Sequence, residues 1–323
     1  MENTMENKII LVTGGTGSWG QEFVTQVLVM NPKEIRIYSR NEFAQFTMKQ
    51  KFNDHRLTFI IGDVRDYEQL NYAMKDVDVV LHLAALKHIP VCELYPMETV
   101  KTNINGVENI IKAAIKQKVQ KVINVFSDKA TYPLNIYGMS KAIGEKLIVN
   151  ANKLSSTQFV CVRGGNVLGS NGSVVPVFIK SITEENKVKI TDRRMTRFFL
   201  SLPEAIKLLL VASNTSISGG IFVMKMPACR IEDLACVLCH EFSCPEAAVE
   251  ISETGMRPGE KIHEVLINSY EAMQTYKYGE DYYVISPTET GLEKIDFVDY
   301  SSNDNLLDHA GIKDLLIKGG FIK

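Results

Sequence analysis

The sequence predicts an α/β protein in which a doubly wound parallel sheet is joined to a smaller α/β domain. Short apolar segments alternate with helical segments through residues 8–165, which is typical of parallel sheets covered by helices on both faces. A glycine-rich loop directly follows the first apolar segment. Beyond residue 165 the alternation loosens, and a chain of 323 residues suits a core domain of about 150–200 residues with a smaller partner.

The first strand is predicted at residues 8–14, because a short continuous apolar run is typical of a buried parallel strand. Residues 1–7 are mostly polar and are predicted to form a flexible tail. Five further strands are predicted, at 34–40, 57–62, 77–84, 119–126 and 159–163. Helices are predicted between and beyond them, among them 96–117, 137–153 and 231–242.

Composition and charge exclude several classes of protein. Lys and Arg number 36 and Asp and Glu 38, a net charge of −2, so we expect no nucleic-acid binding through bulk positive charge. No apolar run reaches the ~18 residues that a membrane span needs, and the polar start lacks a signal-peptide core. We therefore expect a cytoplasmic protein without membrane contact, whose six cysteines are reduced thiols.

One cysteine pattern raises the question of a metal or haem site. Cys236, Cys239 and His240 have the C-x-x-C-H spacing, and Cys244 follows. Haem attachment of this kind needs an exported chain, and no second cysteine pair supports zinc. We expect a small-residue core helix here and no metal.

Residues 13–20, Thr-Gly-Gly-Thr-Gly-Ser-Trp-Gly, place three glycines between the first strand and the first helix. The first glycine permits a tight turn, the second lets the backbone approach a pyrophosphate, and the third lets the helix pack closely on the sheet. The helix N-terminus then faces the phosphates, which is typical of a Rossmann domain that binds a dinucleotide. The predicted contacts from this loop are Thr13, Gly14, Thr16, Gly17, Ser18, Trp19 and Gly20.

The end of the second strand indicates which dinucleotide is bound. NAD-binding proteins usually place an acidic residue there for the ribose 2′-hydroxyl. Ser39 and Arg40 stand there instead, and a hydroxyl with a guanidinium suits the 2′-phosphate of NADP. The residues after the third and fourth strands are predicted beside the cofactor: Asp63, Val64, Ala84 and Ala85.

These patterns predict two domains. The dinucleotide-binding Rossmann domain comprises residues 8–165 and is rejoined by about 195–225. The smaller substrate domain comprises 166–194 and 226–323, and it is expected to lie over the carboxyl ends of the strands.

Tyr137 and Lys141 lie four residues apart in a predicted helix and therefore share one face. A Lys ammonium near a phenol lowers the pKa of the phenol, and the phenolate can take a hydroxyl proton while a hydride leaves for a nicotinamide. The Tyr-x-x-x-Lys pattern is common by chance, but together with the glycine loop it predicts an active site. Both residues are also predicted to contact the cofactor.

The predicted fifth strand ends in Ser127, Asp128 and Lys129. Ser127 is predicted to bond the substrate's oxidised oxygen and to hold the geometry of Tyr137. Asp128 and Lys129 supply an acid–base pair that a simple dehydrogenase does not need. Because they lie at the carboxyl end of a strand, just before the Tyr137 helix, we predict an active-site pair rather than a solvated surface pair.

With the glycine loop and Tyr-Gly-Met-Ser-Lys, the chain resembles the extended short-chain dehydrogenase/reductase superfamily. More narrowly it resembles the inverting UDP-N-acetylglucosamine 4,6-dehydratases of pseudaminic acid and capsule-sugar pathways. The narrowest matches are Ser-Asp-Lys-Ala at 127–130 and Arg-Pro-Gly-Glu-Lys-Ile-His-Glu at 257–264. The resemblance covers nearly the whole chain, with further matches at 38–40, 62–66, 84–88, 101–104, 165–169, 172–176, 195–198 and 300–303.

The resemblance implies a mechanism. Tyr137 takes the proton of the sugar's C4 hydroxyl as hydride passes to NADP, Lys129 takes the C5 proton, Asp128 protonates the departing C6 hydroxyl, and hydride returns to C6. Lys129 can act as a base only if its pKa falls, and Lys87 and Lys141 are candidates for the cation that lowers it.

The resemblance also implies contacts with the substrate. Arg197 and Arg257 would neutralise the diphosphate, Glu260 would accept from the uridine ribose, and Lys87 would touch both substrate and cofactor. The full set of implied substrate contacts is Lys87, Asn103, Asn166, Val174, Val175, Pro176, Arg197, Arg257 and Glu260.

The activity implied is NADP-dependent, C5-inverting dehydration of UDP-N-acetylglucosamine to a UDP-4-keto-6-deoxy-hexosamine for a surface glycan or pseudaminic acid, by a homo-oligomer that is a dimer or hexamer. Three alternatives stay open. A 5,6-dehydratase would stop at the 5,6-ene sugar, and a nucleotide-sugar 4-epimerase would need no acid–base pair at C5 and C6. An NADP-sensing regulator would need neither Tyr137 nor Lys141.

Overall fold

The computed structural model of the protein describes residues 4–170, 172–243 and 249–322. Its strands are β1 (Ile9–Thr13), β2 (Glu34–Ser39), β3 (Leu57–Ile61), β4 (Val79–His82), β5 (Lys121–Ser127), β6 (Gln158–Gly164), β7 (Asn166–Val167), β8 (Lys187–Ile190), β9 (Thr196–Leu200), β10 (Ile221–Met224), β11 (Ala228–Arg230), β12 (Glu250–Glu253), β13 (Val265–Ile267), β14 (Thr275–Tyr278), β15 (Tyr282–Ile285) and β16 (Tyr300–Ser301). Its α-helices are α1 (Ser18–Leu28), α2 (Glu42–Phe52), α3 (Tyr67–Ala73), α4 (Ile89–Leu94), α5 (Pro96–Val100), α6 (Gly106–Lys116), α7 (Ile136–Ala151), α8 (Val174–Glu185), α9 (Leu202–Ser213), α10 (Ile231–Phe242), α11 (Ser269–Ala272) and α12 (His309–Lys318). A π-helical turn spans Lys101–Asn105 and a 3-10 turn spans Asp128–Ala130.

Nine of the described strands form one large sheet in the order β14-β15-β10-β6-β5-β4-β1-β2-β3. Strands β1 to β6 pair in parallel, and β10 pairs in parallel with β6. The chain runs outward from β1 to β3 and then returns to the other side of β1, which places the connecting helices on opposite faces. Accordingly α1 packs against α9, while α6 packs against α3 and α7. The doubly wound parallel sheet predicted from the sequence is confirmed.

The local sequence accounts for most of these elements. In β1, Ile10, Leu11 and Val12 are fully buried, as a strand covered on both faces requires. The predicted helix at 96–117 is interrupted by the π-helical turn. In that turn the side chain of Asn103 reaches away from the helix to the backbone of Leu86, with which its amide both donates and accepts hydrogen bonds of 2.9 Å.

The prediction of a flexible tail is wrong for the part of it that the structure describes, residues 4–7. The Met5 side chain is 1% exposed and belongs to the main core. The backbone N–H of Asn7 donates to the carbonyl of Asn31 at 2.9 Å. Met5 is surrounded by polar residues in the sequence, so no apolar pattern predicts its burial. In the structure its side chain anchors the segment to the main core.

The smaller part of the fold has its own apolar cluster, in which α8, α10 and α12 contribute Phe178, Leu238 and Leu316. Its small sheets are β11-β9-β7, β12-β8 and β13-β16. Strands β14 and β15 instead form an antiparallel edge of the large sheet, although the sequence-based boundaries assign them to the substrate domain. The division into two domains stays a prediction.

Helix α10 has the bounds that the sequence predicts, and it carries Cys236 and Cys239 as partly buried thiols. Cys244 lies outside the described residues. Across the described ranges, no three His, Cys, Asp or Glu side chains are grouped so that they could hold a metal ion. Within the same ranges, no helix combines the length and apolarity of a membrane span.

Candidate active site

A cleft of about 720 Å³ lies along the carboxyl ends of the parallel strands and extends from the glycine loop to the start of α7. It is the edge at which ligands bind in sheets of this topology. Among the residues named from the sequence, the following line it: Gly14, Thr16, Gly17, Ser18, Trp19, Ser39, Arg40, Asp63, Val64, Ala84, Ala85, Lys87, Ser127, Lys129, Tyr137, Lys141, Asn166, Val174 and Val175.

The glycine loop is shaped to receive a phosphate group. Gly14 has a φ of +66°, and a Cβ there would lie 2.8 Å from the amide nitrogen of Ala84. Both the backbone conformation and the lack of space therefore exclude a side chain at this position. Gly17 is the N-cap of α1, and no side chain caps the helix. The first amides of α1 therefore remain available at the cleft, which fits a pyrophosphate.

Two of the residues predicted to contact the cofactor from this loop do not line the cleft. Thr13 is fully buried, and its hydroxyl lies 2.6 Å from Nδ1 of His82 at the end of β4. At Gly20 a Cβ would collide with the backbone of Gly15. Both residues therefore support the loop and do not line the cleft.

The rim beyond β2 carries the groups from which NADP was predicted. The guanidinium of Arg40 lines the cleft with 57% of its side chain exposed, 4.0 Å from Oδ2 of Asp63. Asp63 makes a closer ion pair with Arg65, at 2.6 Å. The hydroxyl of Ser39 accepts a hydrogen bond from the side chain of Gln45. A cation therefore stands at the rim with surface left for an anionic ligand.

Helix α7 begins where the sequence predicts it, because Asn135 caps it. The Asn135 side chain accepts from the N–H of Gly138 at 2.8 Å and donates to the carbonyl of Gly259 at 2.8 Å. A Cβ at Gly138 would collide with the carbonyl of Lys129. The glycine after Tyr137 thus lets α7 start directly against the 3-10 turn that carries Lys129.

The environment of Tyr137 differs from the predicted one. Burial raises the pKa of Tyr137 to about 12, and the Lys129 ammonium and a hydrogen bond with Ser127 act in the opposite direction. Lys141 donates to the carbonyl of Val125 at 2.9 Å, and burial lowers the pKa of Lys141 to about 8. Lys129 and Ser127 thus act against burial on the pKa of Tyr137. The effect of Lys141 on the phenol stays a prediction.

Asp128 and Lys129 form a hydrogen-bonded pair, of which Lys129 lines the cleft and Asp128 does not. Asp128 is 0% exposed, and its Oδ1 accepts from Nζ of Lys129 at 2.9 Å and from the hydroxyl of Ser127 at 2.7 Å. Its Oδ2 is buried and has no hydrogen-bond partner among the described residues. The geometry is that of an enclosed acid–base pair with one free carboxylate oxygen.

The charges around this pair keep it ionised. Burial lowers the pKa of Lys129, but the carboxylates of Asp128 and Glu264 raise it more, and the net pKa is raised. Burial raises the pKa of Asp128, whereas Lys129 and Ser127 lower it to a net decrease. The Arg197 guanidinium acts in the opposite direction to these carboxylates and lowers the pKa of Lys129. An effect of Lys87 or Lys141 on that pKa stays a prediction.

Glu264 is a member of the site that the residue-by-residue reasoning missed. Its Oε1 lies 3.8 Å from Nζ of Lys129 and 3.9 Å from Nε of Arg197, and its Oε2 lies 2.9 Å from Nζ of Lys261. The segment 257–264 was singled out by resemblance, but roles were assigned only to its first Arg and first Glu. Only the fold brings Glu264 to the end of β5.

The remaining residues predicted to bind substrate fall into two groups. Asn166 lies inside the cleft, where its Oδ1 accepts from Nζ of Lys129 at 3.3 Å. Asn103, Pro176, Arg197, Arg257 and Glu260 do not line the cleft.

Two of these residues have well-defined structural contacts. Asn103 is buried and also donates to the hydroxyl of Ser140. The guanidinium of Arg197 donates to the carbonyls of Thr196, Lys261 and Ile262.

Three comparisons place this site among known proteins. Residues 10–287 match a family described as polysaccharide biosynthesis protein. The chain is 45% identical, over 97% of its length, to a UDP-N-acetylglucosamine 4,6-dehydratase (inverting) of Campylobacter jejuni, of which it covers 91%. It is 44% identical, over 85% of its length, to a protein named UDP-glucose 4-epimerase from Rickettsia bellii, of which it covers 82%.

Among solved structures, Pen from Bacillus thuringiensis superposes with a TM-score of 0.93 at 37% identity, over 98% of this chain and 99% of that one. The shared fold, the glycine loop and the Tyr137–Lys141 helix agree with the family match. The chain therefore belongs to the family of polysaccharide biosynthesis proteins, within the extended short-chain dehydrogenase/reductase superfamily.

Proposed function

We propose that the protein catalyses the NADP-dependent dehydration of UDP-N-acetylglucosamine, with inversion at C5, to a UDP-4-keto-6-deoxy-hexosamine. The chain is an enzyme, and the enclosed Asp128–Lys129 pair beside Tyr137 is the observation that carries the dehydratase assignment. Elimination of water needs one group to remove the C5 proton and another to protonate the C6 hydroxyl. The two members of the pair suit these two tasks.

The cleft suits a nicotinamide dinucleotide. The first amides of α1 would hold the pyrophosphate, and Arg40 with Ser39 would hold the 2′-phosphate. A nicotinamide bound there would supply hydride chemistry, as the acceptor for hydride from C4 and the donor to C6. In this proposal Arg40 sets the preference for NADP over NAD, since its guanidinium is exposed at the rim.

Tyr137 starts the chemistry as the base for the C4 hydroxyl. Its phenol is protonated at rest, because burial holds its pKa near 12. Removing the phenol proton becomes easier when a cationic group approaches it. Lys141, one turn further along α7, and Lys129, whose ammonium already acts on Tyr137, both line the same cleft as the phenol.

Asp128 and Lys129 then act together on C5 and C6. At rest they are an ammonium and a carboxylate joined by a 2.9 Å hydrogen bond. Transfer of one proton along that bond gives a neutral amine and a carboxylic acid, with no proton gained from solvent. The amine takes the C5 proton, the acid gives the transferred proton to the leaving hydroxyl, and the pair returns to its charged form.

The UDP-sugar is proposed to enter beside Lys87, Asn166, Val174 and Val175, which line the same cleft. The turn that holds Arg257 and Glu260 docks on the N-cap of α7 through Gly259, so it lies beside the catalytic helix. We propose a cytoplasmic homo-oligomer that supplies a surface-glycan or pseudaminic acid pathway, as the resemblance implies.

Incubation of the purified protein with UDP-N-acetylglucosamine tests this function. Mass spectrometry should detect the loss of one water molecule, and NMR should show a C4 ketone with inverted C5. An alkene between C5 and C6 would instead identify a 5,6-dehydratase.

A second function, 4-epimerisation, is favoured by several relatives that are named UDP-glucose 4-epimerase, among them the Rickettsia bellii protein. An epimerase would return a product of unchanged mass with altered configuration at C4. That outcome, with either UDP-N-acetylglucosamine or UDP-glucose as substrate, would contradict the dehydratase assignment. The absence of any product would favour the regulator.

A further inference from the structure

Glu264 is a buried carboxylate close to the Lys129 ammonium. Its side chain is 4% exposed, and burying a carboxylate costs free energy unless cations compensate. Two cations, Lys261 and Arg197, surround it together with Lys129. Such a cluster, beside a cleft and next to an acid–base pair, is where a functional carboxylate is expected.

The backbone of Glu264 is held as firmly as its side chain. Its N–H donates to the hydroxyl of Ser302 at 2.9 Å, and its carbonyl accepts from the N–H of Ser302 at 2.8 Å. Ser302 is fully buried and lies 2.7 Å from the hydroxyl of Thr196. Because β13 begins directly after Glu264 and pairs with β16, the carboxylate has a fixed position.

The groups that face Lys129 come from every element around it. Asp128 approaches from the same turn, Glu264 from the segment before β13, and Arg197 from β9. Asn166 contacts it from β7, and Tyr137 faces it from α7. Of the two carboxylates in this set, Asp128 is the proposed acid for the C6 hydroxyl, whereas Glu264 forms ion pairs with Lys261 and Arg197.

We propose that Glu264 is a positioning residue for Lys129: its carboxylate holds the Lys129 ammonium beside Asp128 and stabilises the charge that Lys129 gains when it takes a proton. The catalytic part of this inference rests on the proposed function. The positional part concerns the charge of one amine and can be measured without substrate.

The test measures the reactivity of the Lys129 amine by trace acetylation. Acetic anhydride modifies the neutral form of an amine, and peptide mass spectrometry compares Lys129 with the exposed Lys180 in the same sample. In Glu264→Gln the adjacent negative charge is lost, and the pKa of Lys129 is expected to fall by about one unit or more. Labelling of Lys129 at mildly alkaline pH should then rise about tenfold or more.

Two further variants separate charge from packing. Glu264→Asp keeps the carboxylate, so labelling should stay within about twofold of the parent. Glu250→Gln makes the same chemical change in an exposed pair, 3.2 Å from Lys187, and should leave Lys129 unchanged. Unchanged labelling in a folded Glu264→Gln variant overturns the proposal, and so does an equal rise in Glu264→Gln and Glu264→Asp.

If Glu264→Gln does not fold, labelling of Lys129 in a Lys261→Gln variant tests the same proposal. This variant removes a cation from the Glu264 carboxylate, so the ammonium form of Lys129 is favoured and its labelling should fall about threefold or more. Labelling equal to that of the parent would overturn the proposal by this route.

Turnover provides the link to catalysis. In Glu264→Gln the acidic limb of the pH profile for water loss should move to lower pH, and maximal turnover should fall, because the ammonium formed on Lys129 is less stabilised. The Glu250→Gln profile should match the parent. If the parent protein releases no water from UDP-N-acetylglucosamine, the proposed function fails, while the labelling result still decides the role of Glu264.

Discussion

Arg40 and Asp128 both follow the carboxyl end of a parallel strand, but their environments differ. Arg40 follows β2 and stays mostly exposed, whereas Asp128 follows β5 and is completely buried. The carboxyl ends of parallel strands share one edge, so sequence alone places both at the cleft. The two side chains differ in burial, because β13 contacts the turn that carries Asp128. This difference leaves Arg40 open to a ligand and encloses Asp128.

Replacement of Arg40 by Ala tests the cofactor proposal. Without the guanidinium, NADP should bind more weakly by about 1–3 kcal/mol, the size of a charge-assisted contact, while NAD binding should change little. Isothermal titration of both dinucleotides with the parent and Arg40→Ala measures this difference. Lys49→Ala, an exposed change on α2, serves as the control. Equal affinity of the parent protein for the two dinucleotides would refute the assignment.

Strands and helices were predictable where local sequence decides them. The six parallel strands follow from short apolar runs, and α10 from the spacing of its apolar residues. Prediction failed where a distant partner decides the local structure. Asn103, in the π-helical turn, bonds the backbone of Leu86, and Met5 is drawn into the core from a polar segment. Neither partner is visible in the neighbouring residues.

The contact between the ends of β1 and β4 makes stability depend on pH. His82 is buried against Thr13, and burial lowers the pKa of His82 to about 3 from an ordinary value of 6.5. Between these values the unfolded chain binds a proton that the folded chain does not, so stability falls as the pH falls. This group alone should remove about 2 kcal/mol from the free energy of unfolding between about pH 7 and about pH 5.

Urea denaturation across that pH range checks this prediction. His82→Asn should lose the additional decrease in stability, while His55→Asn, at a side chain that is 93% exposed, should retain it. Parallel pH curves for the parent and His82→Asn would show that His82 is not the group responsible.

A single buried arginine joins the two parts of the molecule. Arg163, in β6, donates to Glu145 of α7 at 3.1 Å, to Glu271 of α11 at 2.9 Å and to the carbonyl of Leu266 in β13. It therefore links the large sheet, helix α7 and the segment that follows Glu264. Loss of Arg163 would leave two carboxylates without their buried partner.

Arg163→Met should lower the free energy of unfolding by about 3–5 kcal/mol, because breaking a buried ion pair from one side leaves uncompensated charge. Arg193→Met, which removes a half-exposed partner of Glu232, should cost about 1 kcal/mol or less. Guanidinium denaturation of both variants measures the difference. Similar losses for the two would contradict the role assigned to Arg163.

The part of the candidate site that comes from one strand end and the helix after it was predictable from the sequence, and the part that comes from distant segments was not. Ser127, Asp128, Lys129 and Tyr137 are close in sequence, and the structure brings them together. Glu264 is distant in sequence and reaches Lys129 through the pairing of β13 and β16. The sequence also could not predict that the pKa values of Tyr137 and Lys129 are raised. Burial raises the first, and carboxylates that include the distant Glu264 raise the second.

In the proposed reaction, Tyr137 serves oxidation at C4, while Asp128 and Lys129 serve elimination. Single-turnover mixing of NADP-loaded enzyme with UDP-N-acetylglucosamine, followed by the absorbance of the reduced nicotinamide and by product mass, tests this most directly. Lys129→Ala and Asp128→Asn should still form reduced cofactor but release no water. Tyr137→Phe should form about 10²–10⁴-fold less reduced cofactor per unit time. Loss of water at the parent rate in Lys129→Ala would show that another residue removes the C5 proton.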